Sequence, residues 1–70
     1  MIDVNGNTVN KGDLINLRSV YFSGIARVLN IEQDGRVKLE VQEQTWDRVL
    51  GEVFLVPDCD VIRRLGELVR

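Results

Sequence analysis

The sequence predicts a small all-β domain, a barrel or a sandwich. Turn signals recur at short, regular intervals: Asn5-Gly6, Lys11-Gly12-Asp13, Ser23-Gly24, Asp34-Gly35, Gly51 and Pro57-Asp58. The runs between them are rich in β-branched and other apolar residues, as short strands joined by tight turns require. Beyond Asp34-Gly35, Val37, Leu39 and Val41 alternate with Arg36, Lys38, Glu40 and Gln42. That is the period of a strand with one buried face and one wet face.

The elements follow in chain order. Asp3-Val4-Asn5-Gly6-Asn7-Thr8-Val9 reads as a short N-terminal hairpin, because Asn-Gly takes the backbone angles of a tight two-residue turn. Lys11-Gly12-Asp13 turns into a strand, Leu14 to Leu17, and Arg18 to Ser23 form a loop. Gly24 opens a longer strand, Ile25 to Gln33, which makes a hairpin around Asp34-Gly35 with Arg36 to Val41. Ala26 and Val28 share one face of that strand, and Ile25, Leu29 and Ile31 the other. This face switch predicts a bulge or a sharp bend. Gln42 to Asp47 form a loop carrying Trp46, and Arg48 to Val56 form the next strand, stopped by Pro57.

The C-terminal segment has two readings. Val61 to Leu65 is preferred as a closing strand. The alternative is a helix capped by Asp60, with Val61, Leu65, Leu68 and Val69 at helical spacing. Gly66 would cost such a helix roughly 1 kcal/mol.

Seventy residues make one domain, residues 1–70, with a core close to the lower limit for independent folding. With one cysteine, Cys59, and no histidine, there is no internal disulfide and no zinc cluster. No Ser-His or Cys-His nucleophile can be built either. Asp58 and Asp60 flank Cys59 and disfavour its thiolate. Asp58-x-Asp60 is a fragment of a calcium loop without the remaining ligands. No enzyme, cofactor or metal is expected. No apolar run approaches the roughly 20 residues of a membrane span, and a lone cysteine suits a reducing compartment, so a cytoplasmic protein is expected.

Val9-x-Lys11-Gly12-Asp13, Ser23-Gly24-Ile25-Ala26-x-Val28, Asp34-Gly35-Arg36-Val37 and the late Pro57 before Val61-Ile62 together resemble a small, five-stranded SH3-like barrel of the KOW/Tudor kind. The resemblance covers most of residues 8–65 and is similar to that of short barrel proteins of bacteria and their phages. It implies that Gly24 lets the backbone turn into the second strand, and that the loops around Tyr21-Phe22 and Trp46 converge at one rim. Tudor-like domains use such loops as an aromatic cage for a methylated cation. SH3 domains use the corresponding surface for proline-rich segments.

Three functions are weighed on this basis. The first is a protein-binding module that presents Tyr21, Phe22, Trp46 and Asp47, with Arg27 or Arg48 as polar neighbours and Glu43 as a further counter-charge. Neighbouring residues on an extended segment point opposite ways, so of Tyr21 and Phe22 one is expected to plug the core and the other to face out. The second is a nucleic-acid binder using Arg18, Arg27, Arg36, Lys38 and the terminal arginines Arg63, Arg64 and Arg70. The net charge of −2 and the presence of only two lysines, Lys11 and Lys38, weigh against it. It requires Arg27, Arg36, Lys38 and Arg48 to make a positive stripe on one face. The third is a subunit that associates with itself through a second apolar face built from Ile25, Leu29, Leu50 and Phe54.

Overall fold

The computed structural model describes residues 1–57 and 59–69; Asp58, Arg70 and the Cys59 side chain, and with them the thiol and calcium-fragment readings and the part of Arg70 in the nucleic-acid reading, lie outside the description. Among the described residues the chain forms five antiparallel strands and one short helix. The strands are β1 (Leu14–Arg18), β2 (Ser23–Ile31), β3 (Val37–Val41), β4 (Val53–Val56) and β5 (Gly66–Leu68). The helix α1 (Cys59–Leu65) lies between β4 and β5. The strands form one sheet in the order β4-β3-β2-β1-β5. No pairing joins β4 to β5, so the ladder has two ends. No helix is long and apolar enough to cross a membrane among the described residues.

Period-two alternation builds the core. Ile15 and Leu17 of β1, Ala26 and Val28 of β2, and Val37, Leu39 and Val41 of β3 are all buried. They stack as cross-strand neighbours, with Ile15 opposite Ala26 and Val28 opposite Leu39. The face switch in β2 is a bulge: the register with β3 shifts between Val28 and Asn30, leaving Leu29 as the extra residue. The hairpin turns at Asp34-Gly35. There Glu32 N donates to Arg36 O at 2.8 Å, and the Asp34 carboxylate accepts from Arg36 N. The N-terminal hairpin is reduced to a bridge between Ile2 and Thr8 around Asn5-Gly6.

The C-terminal segment corrects two expectations. Residues 61–65 are helical and not a strand, so the protein is mostly β rather than all-β, and the fifth strand is 66–68. The reason is burial. Val61 and Ile62 are neighbours and both enter the core, which a helix permits and a strand does not. Asp60 in the first turn and Arg63 and Arg64 in the last suit the helix dipole. Gly66 ends the helix where the chain doubles back: a Cβ there would lie 2.9 Å from the Ile62 carbonyl oxygen and 2.9 Å from its Cγ2.

The other correction concerns 48–56. Only Val53–Val56 is strand, and residues 48–52 fold into a turn in which Gly51 N donates to Val41 O and Glu52 N to Val49 O. Val49-Leu50 are adjacent apolar residues with no alternation to place one of them inside, and both are exposed.

Candidate protein-binding surface

Two loops meet at one end of the sheet. The first, residues 19–22, is a tight turn organised by Ser19. Its hydroxyl accepts from the Tyr21 and Phe22 amides and donates to Phe22 O, all at 3.2 Å. The turn separates the aromatic pair. Phe22 is buried in the core, while Tyr21 is 40% exposed and Val20 almost wholly so. One ring plugs and the other presents. Gly24 follows with φ of +146°, and a Cβ there would come within 2.9 Å of the Phe22 ring. Only glycine lets the chain leave the turn while Phe22 folds underneath it.

The second loop, residues 42–52, is closed by its own side chains. Thr45 Oγ1 donates to Asp47 at 2.9 Å and accepts from Arg48 N. The Gln44 amide donates to the Thr45 and Arg48 carbonyls at 3.0 Å and accepts from Leu50 N. Trp46 sits at the apex of this cross-braced loop with 97% of its surface exposed.

Arg48 clasps the two loops. Its guanidinium lies 4.5 Å from the Phe54 ring centroid, donates to the Tyr21 carbonyl at 2.7 Å, and pairs with Glu52. Phe54, half-buried, in turn packs against Phe22 at 5.3 Å with the rings tilted by 56°. Glu43 makes a second tie, accepting from Ile25 N at 3.2 Å. The loops of Tyr21 and Trp46 are therefore neighbours. Four of the residues that hold them, Ser19, Gln44, Thr45 and Arg48, are polar and mostly engaged with backbone. Sequence reading places Arg48 among the polar neighbours of the rim, but alternation carries no signal for its lying flat over the Phe54 ring.

The proposed partner-contact residues thus divide. Tyr21, Trp46 and Asp47 are exposed, whereas Phe22 is core and presents no surface. Other residues that sequence reading placed inside a strand are exposed as well: Val49 and Leu50 in the 42–52 loop, and Val53 and Leu55 on β4. The unbroken apolar run Val53-Phe54-Leu55-Val56 carried that signal, because a strand apolar at every position has apolar residues on its outer face too.

The basic residues do not gather. Arg27 donates to the Gly12 carbonyl at 2.8 Å and stands opposite Glu40. Arg36 pairs with Asp34 at 2.7 Å at the hairpin tip. Arg48 is held by Glu52 and Tyr21. Lys38 is exposed beside Leu55. Arg63 and Arg64 lie on α1, where Arg64 Nε donates to Asp60 O. Arg18 and Arg64 share a shallow groove with Glu67 and the apolar Val4 and Leu65. On the sheet face Arg27 and Lys38 both neighbour Glu40, so the charges there are of mixed sign.

One acidic residue is buried. The Asp3 carboxylate accepts from Asn5 N, Asn7 N, the Asn7 side chain and, at 2.7 Å, Leu68 N. Burial pushes its pKa up, but the hydrogen bonds from Leu68, Asn7 and Asn5 outweigh that and hold it below the ordinary carboxylate value. The site is structural: it ties the N-terminal turn to β5. The chain matches no known family model, no curated protein and no solved structure.

Proposed function

We propose that this chain is a non-enzymatic protein-binding module whose contact surface is the rim formed by the 19–22 and 42–52 loops, with Trp46 as its anchor and Tyr21 beside it. The observation that carries this reading is Trp46, 97% exposed on a loop braced by five side-chain hydrogen bonds. A tryptophan that contributes nothing to its own core and is still presented on an ordered loop has the character of an interface hot spot. Asp47 and Glu43 set acidic groups near it, which favours a partner segment that is apolar with a cationic flank.

The five antiparallel strands and the bulged β2 support the resemblance to SH3-like barrels, although β4 and β5 do not pair. A cage for a methylated cation is the weaker form of the idea. Phe22 is inside, and the Arg48 guanidinium already occupies the Phe54 face. Arg36 and Arg48 are ion-paired and Arg27 is bonded to a backbone carbonyl, so the nucleic-acid reading has no distinguishing observation to carry it.

The test is capture from a native lysate, with and without nuclease, by wild type, Tyr21→Ala and Trp46→Ala. Circular dichroism checks that the variants fold. Identified partners are then titrated while emission is followed from Trp46, the chain's single tryptophan. The expected result is a partner that shifts the Trp46 emission and is lost with Trp46→Ala. Binding that survives Trp46→Ala, or that disappears with nuclease, would overturn the proposal.

A further inference from the structure

The two ends of the sheet are finished differently, and the β4 end is unfinished. Val41 N donates to Glu52 O at 2.8 Å, and Leu39 is in register with Phe54. Antiparallel alternation then turns the backbone groups of Glu52, Phe54 and Val56 toward β3, and those of Val53 and Leu55 away from it. Among the described residues no hydrogen bond reaches the outward N–H and C=O groups of Val53 and Leu55. Their side chains are 46% and 43% exposed. A bare apolar edge of this kind is a template for another strand.

We propose that the occupant is a second copy of this chain. The two β4 strands pair antiparallel about a two-fold axis, with Val53 opposite the partner's Leu55 and Leu55 opposite the partner's Val53. In this register every outward N–H and C=O of both strands is used. The neighbouring registers fail. One sets Leu55 against Gly51, whose N–H is already given to Val41 O. The other sets Val53 against Pro57, which has no N–H.

Charge agrees with the geometry. Lys38 flanks Leu55 and Glu40 flanks Val53 on the same sheet face. Across the two-fold axis each row therefore runs Lys38, Leu55, the partner's Val53, the partner's Glu40, with opposite charges closing on an apolar middle. Val53–Val56 carries no charge of its own, and Glu52, just before it, meets the partner's Val56. A two-fold pairing is closed, and the β5 edge is already covered, so association stops at a dimer. The paired stretch is short, so the dimer is weak and depends on concentration. The inference is independent of the Trp46 rim.

Sedimentation equilibrium from micromolar to millimolar concentration tests it. Wild type is expected to move from monomer toward twice the mass. Val53→Lys/Leu55→Lys sets lysine against lysine and should weaken association by at least about tenfold. Val53→Glu/Leu55→Lys sets glutamate against lysine at both pairs, in this register alone, and should dimerise. Leu55→Pro removes an outward N–H without touching the β3 ladder and should stay monomeric, with a folded circular dichroism spectrum. A wild type that is monomeric throughout would overturn the proposal. So would association that persists in the lysine pair and in Leu55→Pro, or a charge-swapped variant as monomeric as the lysine pair.

Discussion

The β5 edge and the β4 edge face the same problem, and the chain solves it at one end only. At β5, the outward Gly66 carbonyl accepts from Val4 N at 2.9 Å, and the outward Leu68 N–H is taken by the Asp3 carboxylate. Asn5 adds a side-chain bond to Glu67. The N-terminal turn is thus an edge cover made from a few polar residues. At β4, the equivalent groups of Val53 and Leu55 meet nothing among the described residues, and the side chains around them are apolar. A sheet edge left bare with apolar side chains exposed along it is a surface arranged for contact, whereas a covered edge is arranged for stability.

The sharpest way to break the comparison is to place the same substitution at both edges. Leu68→Pro removes an amide that a buried carboxylate depends on, and it disturbs a half-buried side chain. We expect a loss on the order of 3 kcal/mol. Leu55→Pro removes an amide with no partner, and we expect a change under about 1 kcal/mol in the monomer. Urea denaturation of both variants at low protein concentration checks this. Similar losses at both positions would mean that the β4 edge is not free.

Acid separates the two edges next. The folded-state pKa of Asp3 is held below its ordinary value. Its contribution to stability is therefore complete above the unfolded carboxylate value, about 3.9. It is lost as pH falls from there through the lowered folded value, because the unfolded chain takes up the proton first. Asp3→Asn should lower the denaturation midpoint at neutral pH and flatten its fall toward roughly pH 3. Amide exchange should show the Leu68 N–H opening early in acid, with the β2–β3 amides still protected. A variant with the same acid profile as wild type would assign the acid sensitivity to other carboxylates.

Arg48→Ala should have a smaller effect. It removes the hydrogen bond to the Tyr21 carbonyl and the contact over Phe54, together worth about 1–2 kcal/mol. Arg48→Lys should recover only part of this, since an ammonium cannot lie flat on the ring and reach Tyr21 and Glu52 together. Thermal melts of the two variants give the difference.

How much of this is legible in the sequence depends on the kind of force at work. The core is legible: Ile15, Leu17, Ala26, Val28, Val37, Leu39 and Val41 follow from alternation, and the bulge near Leu29 follows from a break in it. The Asp34-Gly35 hairpin follows from turn chemistry. The rim is partly legible, because Tyr21 and Trp46 fall in loops that flank the hairpin strands. What is hidden depends on long-range partners. Nothing local says that Asp3 will bind an amide 65 residues away in sequence, or that Arg48 will reach back to Tyr21. The helix at 59–65 is legible only as the alternative that the Asp60 cap offers. Its neighbouring Val61 and Ile62 have strand propensity, and only the need to bury both against the end of the sheet overrides it.

The smallest expected effect on stability is at the residue with the largest expected effect on function. Trp46 is 97% exposed and makes no ring contact with Phe22 or Phe54. Trp46→Ala should change folding stability by less than about 0.5 kcal/mol, because truncating it returns little surface to water that was not already there. If the loop exists to present this ring, the same substitution removes partner binding. A separation of this kind is what distinguishes a presented side chain from a structural one. Phe54→Ala supplies the opposite case: it strips the support from under Arg48 and Phe22 and should cost about 3 kcal/mol or more of stability. A Trp46→Ala variant that loses stability on the Phe54→Ala scale would show that the ring belongs to the fold.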